Sequence, residues 1–143
     1  MLLLSGLPPI LAAKPVPFNP MQVRFGEFGA AMVGLAGPLT NLVLAAVVAV
    51  FINGGMFTGQ LLEIAGIFVW INIAIFVFNM IPIPPLDGSR LLYAFAPEPI
   101  QEIMERIERM GILIILILFL LLAPVLGPVL FNIDQAIFDF LVR

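Results

Sequence analysis

Long apolar runs without charge constrain this chain more than any other feature. Residues 29–52 and 111–131 contain no charged side chain, and residues 61–81 contain only Glu63, near the start. Each run is long enough to cross about 30 Å of hydrocarbon as a helix. Hydrophobic residues make up 62% of the 143 residues and charged residues 10%, which is far from the composition of soluble domains. We predict an all-α polytopic membrane protein, a single membrane domain with three transmembrane helices.

The basic residues predict the orientation of these spans. Residues 1–28 and 82–110 share one side of the membrane, and they hold five of the six basic residues: Lys14, Arg24, Arg90, Arg106 and Arg109. Because cytoplasmic loops carry the excess of Lys and Arg, we predict a multi-pass cell-membrane protein with residues 82–110 in the cytoplasm. The net charge of −3 excludes a nucleic-acid partner and leaves the lipid bilayer as the expected one.

Two flanking segments have the pattern of interfacial helices. Residues 98–110 place apolar side chains at helical spacing and offer the i,i+4 pairs Glu102–Arg106 and Glu105–Arg109, so this helix either lies on the membrane or packs on a partner. Residues 133–141 show a weaker version of the pattern. The opening residues 1–15 are apolar, short and interrupted by prolines. They resemble an interfacial loop, or the end of a membrane element that begins upstream, more than a secretory signal.

Asparagine is unexpected in a helix that faces lipid, yet Asn41 lies in the first span and Asn72 in the second. Gly34, Gly37 and Asn41 share one face of the first span, beside a helix break expected at Pro38. Two interpretations remain open. The amides could bond across helices and hold the spans together, or they could line a polar cavity that holds water or an extended peptide.

The segment after the second span departs most from a membrane helix. Pro82, Pro84 and Pro85 prevent a regular helix and predict an extended run. A new helical pattern then opens at Asp87. Asp87 could be the N-cap of that helix, or a metal ligand or proton-handling carboxylate at membrane depth. The pattern of residues alone does not decide between these roles.

Four stretches resemble one family, in that family's order. Residues 79–88 (NMIPIPPLDG) resemble the FNLIPIPPLDG motif of the site-2 proteases, which are intramembrane zinc metallopeptidases. Residues 13–20 (AKPVPFNP) and 36–41 (AGPLTN) resemble the AKPVPxNP and AGPxxN motifs of its compact bacterial and archaeal branch. Residues 71–72 (IN) stand where that branch carries a polar residue. The resemblance covers roughly residues 12–93.

The resemblance assigns Asp87 the role of third zinc ligand. The family's other two ligands are the histidines of an H-E-x-x-H helix, whose glutamate is the general base. The chain has no histidine and no cysteine, so it holds no catalytic residue of that set, and we expect that it does not retain zinc alone. The resemblance further implies that Asn41 and Asn72 hold an extended substrate, a locally unwound transmembrane peptide.

Three explanations fit a chain with the aspartate motif but without H-E-x-x-H. We favour a truncated, inactive form of a zinc metalloprotease of regulated intramembrane proteolysis. One alternative is a half-enzyme, in which a separate histidine-bearing chain takes the place of the missing N-terminal half and completes the zinc site. The other is a non-catalytic membrane binding or scaffold protein. A transporter gains little support, because the sequence contains neither a repeated half nor a charged pathway.

Overall fold

The computed structural model describes residues 26–110 and 112–143, which form helices and turns without a strand. Five helices follow in order: α1 Gly26–Asn53, α2 Gln60–Asn79, α3 Asp87–Phe95, α4 Glu98–Arg109 and α5 Ile112–Leu141. Three hold stretches long and apolar enough to cross a membrane: Phe28–Asn53, Gln60–Asn79 and Phe119–Leu141. The predicted all-α polytopic membrane fold is therefore confirmed. The predictions for residues 1–15 and the motif at residues 13–20 lie outside the described residues.

The centre of the fold is the contact between α1 and α2. Ala45 and Ala49 on α1 are almost fully buried against Val69 and Ile73 on α2. Small side chains let two helix backbones approach closely, and in lipid this close packing is what holds helices together. The outer faces of both helices stay apolar and exposed, as expected for surfaces that meet lipid.

Aromatic contacts attach α5 to α2. The ring of Trp70 lies 5.6 Å from that of Phe131 and 5.5 Å from that of Phe138. The rings of Phe78 and Phe119 are 5.0 Å apart at the other end, so α5 runs antiparallel to α2. Most of the apolar side chains of α5 that the structure describes remain exposed.

The turn after α1 and the end of α5 are joined by hydrogen bonds. Nδ2 of Asn53 donates to the carbonyl of Leu141 (2.7 Å), and its Oδ1 accepts from the backbone N–H of Arg143 (2.9 Å). Gly55, with φ of 68°, adopts the left-handed conformation that commonly ends a helix. These contacts place the ends of α1 and α5 on the same side of the membrane.

The prolines inside α1 and α5 do not end these helices. α1 continues through Pro38, where a break is expected, and α5 continues through Pro124 and Pro128. A proline removes one backbone donor, and side chains such as Ser and Thr can hydrogen-bond nearby carbonyls of a membrane helix. In α1, Pro38 removes the donor for the carbonyl of Gly34, whereas the hydroxyl of Thr40 donates to the carbonyl of Ala36 (2.7 Å). The helix nevertheless continues through Pro38, whose side chain is fully buried.

α5 also extends further than predicted. It continues without a break to Leu141, so residues 133–141 form the end of a span instead of a separate interfacial helix.

Asp134 lies in this part of α5, on the same face as Phe131 and Phe138, and it is 8% exposed. Its Oδ1 atom has no hydrogen-bond partner in the described structure, and nothing in the structure explains this.

Candidate metal-ligand site

The proline-rich segment at residues 80–86 folds into tight turns. The backbone N–H of Ile83 donates to the carbonyl of Ile81 (2.9 Å), and that of Leu86 donates to the carbonyl of Ile83 (3.0 Å). The peptide bond of Pro84-Pro85 is cis. The predicted loss of helix is confirmed, but the predicted extended run is wrong, because these local hydrogen bonds turn the chain back toward α2.

Gly88 lies where the first turn of α3 meets the end of α2. A Cβ atom built on Gly88 would lie 2.9 Å from the carbonyl oxygen of Ile81 and closer still to that of Met80. Both obstacles are backbone atoms, so no change of rotamer relieves them. Only a residue without a side chain fits here, and this approach sets the position of the neighbouring residue, Asp87.

The first turn of α3 also lies against two glycines of α1. A Cβ on Gly34 would lie 2.9 Å from Cδ of Arg90, and a Cβ on Gly37 would lie 3.6 Å from Oδ2 of Asp87. Gly37 comes nine residues after Phe28, where the apolar span of α1 begins. This separation corresponds to about 14 Å along the helix axis. The half-buried carboxylate of Asp87 is thus packed against the apolar span, well inside its end.

The geometry does not make Asp87 an N-cap. Leu86 occupies that position with extended backbone angles, and Asp87 is the first helical residue. Its charge still suits the positive end of the helix dipole. The hydroxyl of Ser89 donates to the Leu86 carbonyl (2.7 Å). Of the roles that the sequence leaves open for Asp87, capping is not observed, and the roles of metal ligand and of proton-handling carboxylate stay predictions.

Asn41 and Asn72 both hydrogen-bond within their own helices. Nδ2 of Asn41 donates to the carbonyl of Gly37 (3.4 Å), and Nδ2 of Asn72 donates to that of Phe68 (2.9 Å). Among the described residues, no hydrogen bond joins either amide to another helix or to Asp87. Asn41 and Asp87 nevertheless both contact Gly37 of α1: Asn41 through its hydrogen bond within the helix, and Asp87 from the first turn of α3. Asn72 is buried in the face of α2 that packs on α1.

The metal-ligating side chains of this chain are too few to form a zinc site by themselves. Zinc sites take histidine, cysteine and carboxylate ligands, with three protein ligands in catalytic sites. The chain contains neither histidine nor cysteine. No group of three candidate ligands lies together in the part of the chain that the structure describes. Asp87 is therefore at most one ligand of a site completed from elsewhere.

Sequence reasoning missed a cleft of about 540 Å³ between the start of α1, the Pro84-Pro85 turn, α3 and α4. Its polar lining includes Arg90, Tyr93 and Glu105, and the hydroxyl of Tyr93 donates to Glu105 (2.9 Å). Arg90 follows Asp87 by three residues on one helix, a spacing that signals a shared face. The sequence argument used Arg90 only for membrane orientation.

Comparison with known proteins identifies the family. The model of peptidase family M50 matches residues 54–123, a stretch that includes Asp87. A Bacillus subtilis protein named "Putative zinc metalloprotease YwhC" is 32% identical over 116 residues, which are 75% of this chain and 53% of that protein. The chain belongs to peptidase family M50, the site-2 protease family. Its predicted family resemblance is confirmed.

Two further family relatives are similar to this chain. "Putative zinc metalloprotease MJ0611" of Methanocaldococcus jannaschii is 50% identical over 62 residues, 42% of this chain and 31% of that protein. "Putative zinc metalloprotease Rip2" of Mycolicibacterium smegmatis is 31% identical over 121 residues, 76% of this chain and 42% of that protein. The chain thus spans about half or less of the curated relatives that it matches. No solved structure matches it.

Proposed function

We propose that this chain provides the third zinc ligand and part of the substrate channel of a site-2 protease. In this proposal Asp87 is one ligand, and the two histidine ligands and the general base come from an H-E-x-x-H segment that this sequence does not contain. The assembled protein cleaves a transmembrane peptide. This chain alone does not.

The position of Asp87 is the observation that carries the proposal. A carboxylate packed against an apolar span has a high free-energy cost in a membrane. Such residues are therefore rare and generally mark functional sites. Here its position depends on the close approach of Gly88 to the end of α2, and its Oδ2 atom lies beside Gly37 of α1. The observed geometry also removes the N-cap role, the main structural alternative.

Asn41 and Asn72 are proposed to hold the extended substrate. A strand in lipid leaves backbone donors and acceptors without partners, at a cost of several kcal/mol each. An amide that donates one hydrogen to its own helix keeps a second hydrogen and a carbonyl oxygen to offer. Asn41 donates to the carbonyl of Gly37, and Oδ2 of Asp87 also lies beside Gly37, which supports a substrate position next to the proposed zinc ligand.

Zinc content tests the proposal. We expect the chain alone to bind no more zinc than its Asp87→Ala variant, because one carboxylate is too few ligands. Co-expression with a membrane segment that bears H-E-x-x-H should give stoichiometric zinc by elemental analysis, and Asp87→Ala should remove it. Stoichiometric zinc in the chain alone, or zinc that survives Asp87→Ala in the assembly, would contradict the proposal.

We further propose that residues 82–110 lie in or face the cytoplasm, on the basis of the charge asymmetry. The chain has no cysteine, so single cysteines can be labelled without interference. In intact cells, a membrane-impermeant thiol reagent should label Met56→Cys, at an exposed position in the α1–α2 turn. It should label Arg106→Cys only after permeabilisation. The opposite pattern would reverse the topology.

A further inference from the structure

Exposed apolar side chains form a stripe on α3 and α4 in the described structure. It consists of five side chains that are each at least 39% exposed: Leu92, Phe95, Ile100, Ile103 and Met110. Ile100 and Ile103 of α4 share one helical face by their spacing with Met110, which directly follows the helix. Phe95 is 70% exposed. An exposed apolar stripe on a protein surface marks a site that contacts another protein or a membrane.

The rest of the protein uses a different side of α4. Met104 is buried, Nε2 of Gln101 donates to the carbonyl of Tyr93 (2.9 Å), and Glu105 accepts from the hydroxyl of Tyr93 (2.9 Å). Arg109 forms the predicted ion pair with Glu105 (2.9 Å). The strongly amphipathic pattern of α4 is therefore only partly explained by packing inside the chain.

Both ends of α4 adjoin elements that contain an apolar span. Before α4, the ring of Phe95 makes an edge contact with that of Phe28 (6.3 Å), which begins the apolar span of α1. After α4, the chain enters the long apolar helix α5 at Ile112. Phe95, at one end of the stripe, thus lies beside the start of the α1 span. We propose that the stripe inserts into the bilayer and that α4 lies in the interface between headgroups and acyl chains.

The charges of α4 specify the kind of lipid contact. The helix carries four glutamates and two arginines, whereas helices that bind anionic membranes are rich in Lys and Arg. Attachment therefore rests on apolar burial and does not require anionic lipid. Because α4 is hydrogen-bonded to Tyr93 of α3, the two helices enter the interface together. This inference does not depend on the proposed protease function.

Spin labelling tests the insertion directly in the full chain, reconstituted in phosphatidylcholine vesicles. A label at Ile103→Cys should be more accessible to oxygen than to a water-soluble nickel chelate, at a depth of about 5–10 Å below the headgroups. Ile100→Cys should behave in the same way. Glu102→Cys, an exposed neighbour outside the stripe, is the matched control and should be accessible to the nickel chelate. Added phosphatidylglycerol should not change the depth.

Three results would overturn the inference. Equal nickel accessibility at positions 102 and 103 would place α4 in water. Protection of position 103 from both reagents would mean that a protein covers the stripe. Insertion only when phosphatidylglycerol is present would mean that electrostatic attraction to anionic lipid, and not burial of apolar side chains, attaches α4 to the bilayer. Because both stripe positions are exposed, their cysteine variants are expected to fold.

Discussion

Asp87→Asn is expected to abolish zinc-dependent cleavage in an assembly that contains the H-E-x-x-H helix. Asparagine is nearly the same size as aspartate and fits the first helical turn, but it lacks the negative charge that makes a good zinc ligand. Mutation of residues that only hydrogen-bond to zinc ligands lowers metal affinity or activity by roughly 10–100-fold. Mutation of a ligand itself should therefore lower zinc affinity and cleavage by more than about 100-fold. Cleavage of a membrane substrate and bound zinc should fall together.

Two kinds of control separate this result from a general loss of structure. Asp139→Asn changes an exposed carboxylate on α5, hydrogen-bonded to Gln135, and should leave cleavage unchanged. Asn41→Ala and Asn72→Ala should retain zinc but lower kcat/KM, as expected for residues that hold the substrate. Cleavage by the Asp87→Asn assembly at the original rate would show that Asp87 is structural, and it would remove the main support for the proposed function.

Gly88→Ala is expected to destabilise the chain by about 1–3 kcal/mol, the typical cost of forcing an extra methyl group into a packed site. The new Cβ would meet the carbonyls of Met80 and Ile81, and only a shift of α3 away from α2 could make room. Thermal unfolding in detergent should therefore begin at a lower temperature. In the assembly, the shift would displace Asp87 and lower zinc affinity as well.

Gly66→Ala is the matched control for Gly88→Ala. Gly66 lies inside α2, and a Cβ built on it meets no atom within 4 Å. Alanine also favours helix over glycine by roughly 1 kcal/mol, so this variant should be as stable as the original or more so. Unfolding of Gly88→Ala at the original temperature would show that the two helix ends separate easily, and that Gly88 does not position Asp87.

The sequence by itself determined the class of this protein and the existence of its helices. Uncharged apolar runs leave a chain in lipid with one way to satisfy its backbone, which is a helix. The predicted first span, residues 29–52, differs by one residue at each end from the observed Phe28–Asn53. α3 and α4 begin at Asp87 and Glu98 as predicted, and the aspartate motif indicated the family that the comparisons confirm.

Tertiary structure decided what the prolines do and where Asp87 lies. Pro38 leaves α1 unbroken, whereas the prolines after α2 end that helix and turn the chain back on itself. Local sequence rules treat these prolines alike, because the difference depends on neighbours that are distant in the chain. Whether Asp87 is a helix cap or a carboxylate at membrane depth was open for the same reason. Only the packing of α3 against Gly37 and the end of α2 places its carboxylate beside an apolar span.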